Sequence, residues 1–182
     1  MVGYLKLFMG PMYAGKTTHL IDTCKFVNNS KIVVKHKSDV RYQLNNIVSH
    51  DNNHIGCFSI NTLKEVYELP DFDTKDNILV DEAQFFQDLY EVVLDLVNNC
   101  GKKVFLFGLD GDFKGQPFIK GDFLKLIPFA DSIEKLAGKC YLCERPSILS
   151  KRIVKDDSQV LVGGADIYQP VCRYHFLNSN IK

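Results

Sequence analysis

Gly10-Pro11-Met12-Tyr13-Ala14-Gly15-Lys16-Thr17 is the stretch whose reading decides the fold. It follows an apolar run, Leu5-Lys6-Leu7-Phe8-Met9. It precedes a segment in which Leu20, Ile21, Cys24 and Val27 recur at helical spacing. The octet satisfies G-x-x-x-x-G-K-[ST] in the context that motif requires, with a strand before it and a helix after. Backbone N–H groups of such a loop and of the helix N-terminus converge on anionic phosphate oxygens, and glycines permit the close approach. Lys16 is expected to reach the β- and γ-phosphates of a nucleotide, and the Thr17 hydroxyl to ligate Mg²⁺.

Further along, Ile32-Val33-Val34, Ile78-Leu79-Val80 and Val104-Phe105-Leu106-Phe107 are short continuous apolar strands. Between them Phe86, Leu89, Val92, Val93, Leu96 and Val97 draw an amphipathic helix that stops near Gly101. Thr62 to Leu69 predicts a shorter helix, and the polar stretch Arg41 to Asn53 predicts a mobile loop. Strands alternating with helices imply an α/β fold of the P-loop nucleotide-binding kind, a mainly parallel sheet with helices on both faces. Asp81 closes an apolar strand, where an acidic residue can hold the magnesium shell. Glu82, beside it, is left to take a proton or position a nucleophile.

Cys140-Tyr141-Leu142-Cys143 is answered, after 28 intervening residues, by Cys172-Arg173-Tyr174-His175. Two pairs, each with two residues between its ligands, can place three thiolates and an imidazole around one Zn²⁺ as a closed structural site. A redox dithiol would not need the second pair. Cys24, Cys57 and Cys100 are scattered, and read as partly buried free thiols. Residues 1–135 are thus expected to form the nucleotide-binding domain, and 136–182 a small C-terminal zinc-binding domain.

The 182 residues carry 22 basic and 22 acidic side chains, a formal net charge of zero, which argues against nucleic acid or anionic membrane as the main partner. No apolar run approaches a membrane span and the first residues lack a signal-peptide pattern, so a soluble cytoplasmic protein is expected. These features support Mg-nucleotide phosphoryl transfer and leave the acceptor open. Asp81-Glu82-Ala83-Gln84 also suits the acidic box of a helicase-type ATPase. A short chain without a basic track suits that reading poorly. A zinc-ribbon nucleic-acid module with an ATP-driven switch and an idle nucleotide-binding scaffold are two further readings. The intact set Lys16, Thr17, Asp81 and Glu82 speaks against the scaffold.

Taken in order, these pieces resemble the thymidine kinase family of the cytosolic and large-DNA-virus type. The resemblance extends through Asp39-Val40-Arg41-Tyr42, Ser49-His50-Asp51, Asp81-Glu82-Ala83-Gln84-Phe85-Phe86, Leu109-Asp110-Gly111-Asp112-Phe113, Gln116-Pro117-Phe118 and Val162-Gly163-Gly164-Ala165-Asp166-Ile167-Tyr168. It implies transfer of the γ-phosphoryl of ATP to the 5′-hydroxyl of thymidine, giving dTMP. Glu82 is then the general base, residues Gly10 to Thr17 with Asp81 and Arg41 meet ATP and its Mg²⁺, and Asp39 sits near the sugar. The thymine would lie against Met12, Phe85, Phe113, Phe118 and Tyr168. Phe113 and Phe118 also suggest themselves independently, in a Gly- and Asp-rich loop past a strand end. Gln159, Val160, Leu161, Val162 and Gly163 resemble the family's lasso, which closes over the base and reads it through main chain, with the zinc anchoring it. The resemblance further implies a homotetramer, in the host cytoplasm if virus-encoded. Three departures stand out: Ala83 where glycine is frequent, no basic pair at Lys114-Gly115-Gln116, and His175 in place of a cysteine.

Overall fold

A computed structural model of the chain describes residues 2–39, 46–48 and 54–178. Arg41, Val40, Tyr42 and the Ser49-His50-Asp51 segment, singled out from the sequence, lie outside the described residues.

The chain opens with strand β1 (Tyr4–Met9), the phosphate-type loop and helix α1 (Lys16–Phe26), followed by β2 (Lys31–His36). The stretch expected to be a loop contains instead the first strand of an antiparallel hairpin, β3 (Asn46–Val48) with β4 (His54–Gly56). Its polar composition masks the alternation around Ile47, which is buried against the α1 side of the sheet. Then come β5 (Phe58–Ile60), a 3₁₀ helix over Leu63–Glu68, β6 (Asn77–Asp81), α2 (Leu89–Asn98) and β7 (Lys103–Gly108). Helix α2 begins three residues later than its apolar pattern does. Phe86 belongs to the chain leaving a 3₁₀ turn over Ala83–Phe85, yet it is fully buried and serves the same core face.

Strand β8 (Ser132–Lys135) completes a six-stranded sheet in the order β5-β2-β6-β7-β1-β8, with every neighbouring pair parallel. Covered on both faces, its central strands are apolar throughout rather than alternating. Leu5, Leu7, Val34, Ile78, Val80, Val104 and Leu106 pack under Leu89, Val93 and Leu96 of α2. Phe8, Val33, Leu79 and Phe107 turn the other way, onto Leu20, Ile21 and Cys24 of α1. Parallel order brings the C-terminal ends of β1, β6 and β7 to one edge, so the loops after Met9, Asp81 and Gly108 gather there.

Past β8 the chain makes β9 (Gly138–Lys139), β10 (Pro146–Ser147), β11 (Leu149–Arg152), β12 (Tyr168–Val171) and the short helix α3 (Arg173–Leu177). β9 pairs with β10, and β11 pairs with β12 with Arg152 opposite Tyr168. Cys24 and Cys57 are buried as expected, whereas Cys100, just past α2, is exposed. Among the described residues no helix is long and apolar enough to cross a membrane.

Candidate functional site

Two clefts adjoin at the C-terminal edge of the sheet. The first is built by the loop between β1 and α1. Tyr13 (φ 62°) and Gly15 (φ 83°) both adopt the left-handed conformation, which curls the chain back on itself. A Cβ on Gly15 would meet nothing within 4 Å, so its backbone geometry, not space, calls for glycine there. At Gly10 the reason is space: a Cβ would stand 2.5 Å from the Leu136 carbonyl oxygen.

Helix α1 starts with no side-chain cap and no acidic residue in its first turn, so its N-terminal N–H groups and positive dipole end face the cleft. Lys16 is buried, and its Nζ donates to the carbonyls of Pro11 at 2.7 Å and Gly10 at 3.1 Å. The cleft holds about 1020 Å³, open mouth included, and Gly15, Lys16, Thr17, Thr18 and Asp81 line it. An uncapped helix start, a buried lysine, a threonine hydroxyl and a carboxylate form a donor set suited to a phosphate chain with its divalent cation.

Asp81 ends β6 in extended geometry, and Glu82 turns left-handed at φ 50°, ψ 43°. A continued strand would have sent these adjacent carboxylates to opposite faces of the sheet; with the turn, both line the first cleft. Asp81 Oδ1 accepts the Glu82 N–H at 3.0 Å, and Gln84 Nε2 donates to Glu82 Oε2 at 2.6 Å. Both carboxylates are buried. A non-glycine residue held left-handed costs about 1–3 kcal/mol, and such strain concentrates at functional positions.

The second cleft, about 540 Å³, is lined by Met12, Asp39, Phe85, Phe113, Phe118, Tyr168 and the whole run Gln159 to Gly163. Every residue expected at a nucleoside pocket and described in the structure is therefore brought to one place. Phe85 and Phe118 meet edge to face at 6.3 Å. Met12, Asp39, Glu82 and Leu109 line both clefts and form their common wall. Arg41, expected near the phosphates, lies outside the described residues.

Sequence reasoning missed what holds the Gln159–Gly163 run. Arg152, at the end of β11, is buried and donates through Nη1 to the carbonyls of Asp156 (2.8 Å) and Ser158 (2.6 Å). Its Nη2 donates to the Gln159 carbonyl at 3.3 Å and to Tyr168 Oη at 2.6 Å. Tyr168 Oη donates onward to the Leu161 carbonyl at 2.8 Å. The guanidinium also lies 3.8 Å from the Phe113 ring centroid. One side chain thus joins the run to both aromatic walls. Gln159 adds a strap across the mouth, donating from Nε2 to Asp112 at 2.9 Å and to the Pro117 carbonyl at 3.0 Å. An arginine closing a strand in a polar stretch was the available signal, since such a charge, once buried, must find partners.

At the far end of the β11–β12 ribbon the four expected metal ligands converge. The donor atoms of Cys140, Cys143, Cys172 and His175 all lie within 4.8 Å of one another. A tetrahedral zinc with Zn–S near 2.3 Å and Zn–N near 2.0 Å sets edges of about 3.8 Å for S···S and about 3.5 Å for S···N. Cys143 Sγ to Cys172 Sγ is 3.8 Å, and His175 Nδ1 lies 3.4 Å from Cys140 Sγ and 3.5 Å from Cys172 Sγ. The donor set and its spacing fit Zn²⁺. Burial opposes ionisation of the Cys140 thiol. Backbone hydrogen bonds at Cys172 and Leu142, with the His175 and Cys143 contacts, outweigh it and bring the thiol down to about 6.

Comparison with known proteins matches residues 3–176 to the family model described as "Thymidine kinase". The chain is 37% identical over 186 residues to a thymidine kinase of Oryza sativa subsp. japonica, covering 98% of this chain and 68% of that one. It is 37% identical over 175 residues to the thymidine kinase of Sheeppox virus, covering 94% and 95%. With the thymidine kinase of Yaba monkey tumor virus it shares 36% over 181 residues, covering 98% and 97%.

Proposed function

The chain belongs to the thymidine kinase family, and from that premise we propose that it transfers the γ-phosphoryl of ATP to the 5′-hydroxyl of thymidine, yielding dTMP and ADP. The observation that carries this reading is Glu82, a buried carboxylate on the wall shared by a phosphate-type cleft and an apolar, aromatic-lined one.

Thymidine in the aromatic cleft presents its 5′-hydroxyl toward Glu82, whose carboxylate takes the proton as the oxygen attacks. The O5′–P bond forms, the bond from the γ-phosphorus to the bridging oxygen breaks, and ADP leaves with that oxygen. Lys16, the loop amides and the α1 N-terminus meet the charge on the transferring group. Thr17 and Asp81 would hold Mg²⁺, which neutralises phosphate charge when bound. Gln159 to Gly163 cover the base, while Phe85, Phe113, Phe118, Met12 and Tyr168 supply its apolar walls and Asp39 lies beside the sugar. Zn²⁺ held by Cys140, Cys143, Cys172 and His175 would be structural, since all four positions belong to the protein. The division into residues 1–135 and 136–182, a homotetrameric assembly and a cytoplasmic location belong to the same reading.

Purified protein with ATP, Mg²⁺ and each of the four deoxynucleosides provides the test. Thymidine should be converted to its monophosphate. ATP hydrolysis stimulated by nucleic acid, with no nucleoside phosphorylated, would overturn the reading.

A further inference from the structure

Gln84 has no part in the chemistry described so far, yet it is only 1% exposed and sits against the reacting carboxylate. Its two amide ends are not interchangeable. The Leu109 N–H donates to Oε1 at 2.9 Å, which fixes that end as the oxygen, so Nε2 must face Glu82 Oε2, 2.6 Å away. A carboxylate can only accept and a backbone N–H can only donate, so the two partners set the amide orientation together. The room is kept by Gly108, where a Cβ would lie 3.0 Å from Gln84 Oε1 and 3.2 Å from the Phe123 ring. The main chain is fixed as well: a Cβ at Gly121 would stand 2.8 Å from the Gln84 carbonyl oxygen.

We propose that Gln84 is a positioning residue for phosphoryl transfer, holding the Glu82 carboxylate turned toward the shared wall of the two clefts. The inference rests on the reading of Glu82 as general base. Glu82 hangs from a left-handed backbone and has three side-chain torsions, and proton transfer requires reacting atoms held within hydrogen-bond reach. An amide donor anchored just past β7 restricts that freedom. It also favours the ionised carboxylate, which is the form that accepts a proton.

The test uses Gln84→Met, which keeps length and removes the donor, with kcat normalised to sites that bind an ATP analogue. We expect kcat to fall about 10- to 100-fold with the KM for thymidine within about threefold. The acid limb of the kcat–pH profile should move upward, because a carboxylate losing a donor ionises less readily. Gln84→Glu is the second variant. It can still accept the Leu109 N–H but sets a second carboxylate against the first, and so should add an ionisation to the profile. A purely structural glutamine would change the amount of folded enzyme and leave both profiles on the wild-type curve; that result overturns the proposal. Glu82→Gln, run in parallel, separates the two readings. A nearly unchanged rate there removes the base itself, whereas an inactive Glu82→Gln beside unmoved Gln84 profiles removes only the role given to Gln84.

Discussion

Replacing Arg152 by methionine should damage thymidine binding selectively. Its guanidinium makes three hydrogen bonds to main-chain carbonyls of the segment that leads into and lines the aromatic cleft, and a fourth to Tyr168 Oη. A hydrogen bond from a charged donor is worth about 1.5–3 kcal/mol net. Ser158 and Asp156 are exposed enough for water to replace part of that, so the lower figure applies to two bonds, about 3 kcal/mol. Loss of the cation from the Phe113 face adds about 0.5–1 kcal/mol. The sum, about 3.5–4 kcal/mol, is an upper bound, since contacts of one side chain are not additive. If thymidine must reorder the segment on binding, two decades in KM is the expected result at about 1.4 kcal/mol per decade. The lost contacts act alike in ground and transition states, so kcat should hold. The KM for ATP should hold too, because none of these groups lines the phosphate-type cleft. Arg152→Lys, with one compact donor instead of a fork, should recover only part of the loss. Steady-state kinetics with each substrate varied in turn gives the answer. A thymidine KM within about threefold of wild type in Arg152→Met would refute the clamp.

Other outcomes follow from the same geometry. A strong zinc chelator should raise the dissociation constant for thymidine more than that for ATP, since the cysteine–histidine cluster ties the end of the ribbon whose other end carries Arg152 and Tyr168; calorimetry that finds equal losses would contradict that linkage. Asp95 accepts hydrogen bonds from Asn99 and Tyr67, which hold its carboxyl below the usual range. A depressed folded-state pKa contributes stability above about pH 4 and loses it as pH falls through the folded value. Asp95→Asn should therefore melt lower than wild type at pH 7, with the gap closing as the pH falls into the acid range; a gap independent of pH would exclude the ionised carboxylate as its cause.

Local features read from the chain alone proved to be those whose physics is local. The loop from Gly10 to Thr17 declares itself because glycine, lysine and hydroxyl must fall at fixed intervals, and two Cys/His pairs declare themselves by spacing. Continuous apolar strands announced a sheet covered on both sides. What stayed hidden depends on distant partners. Phe86 fell on the apolar helical pattern and is fully buried, but only the family resemblance, and no periodicity, set its neighbour Phe85 at the cleft it lines. β8 joins the sheet only through pairing with β1, and its alternating, half-exposed pattern resembles a surface strand. Ile47 and Ile55 pair across a hairpin whose polar surroundings read as loop. Gln84 looks like ordinary helix-flanking polarity until the Leu109 N–H and the Glu82 carboxylate are both seen to meet it. The left-handed turn at Glu82 has no sequence signature, because glycine and asparagine are the residues that usually mark one.

On the proposed reading, the two-stranded ribbon that joins the cysteine–histidine cluster to the Gln159–Gly163 segment transmits in both directions. Whatever free energy a bound ion lends to nucleoside affinity, a bound nucleoside must return to ion affinity in equal amount. An enzyme busy with substrate would therefore hold its metal more tightly than an idle one, and during zinc shortage the copies in use would be the last to lose it.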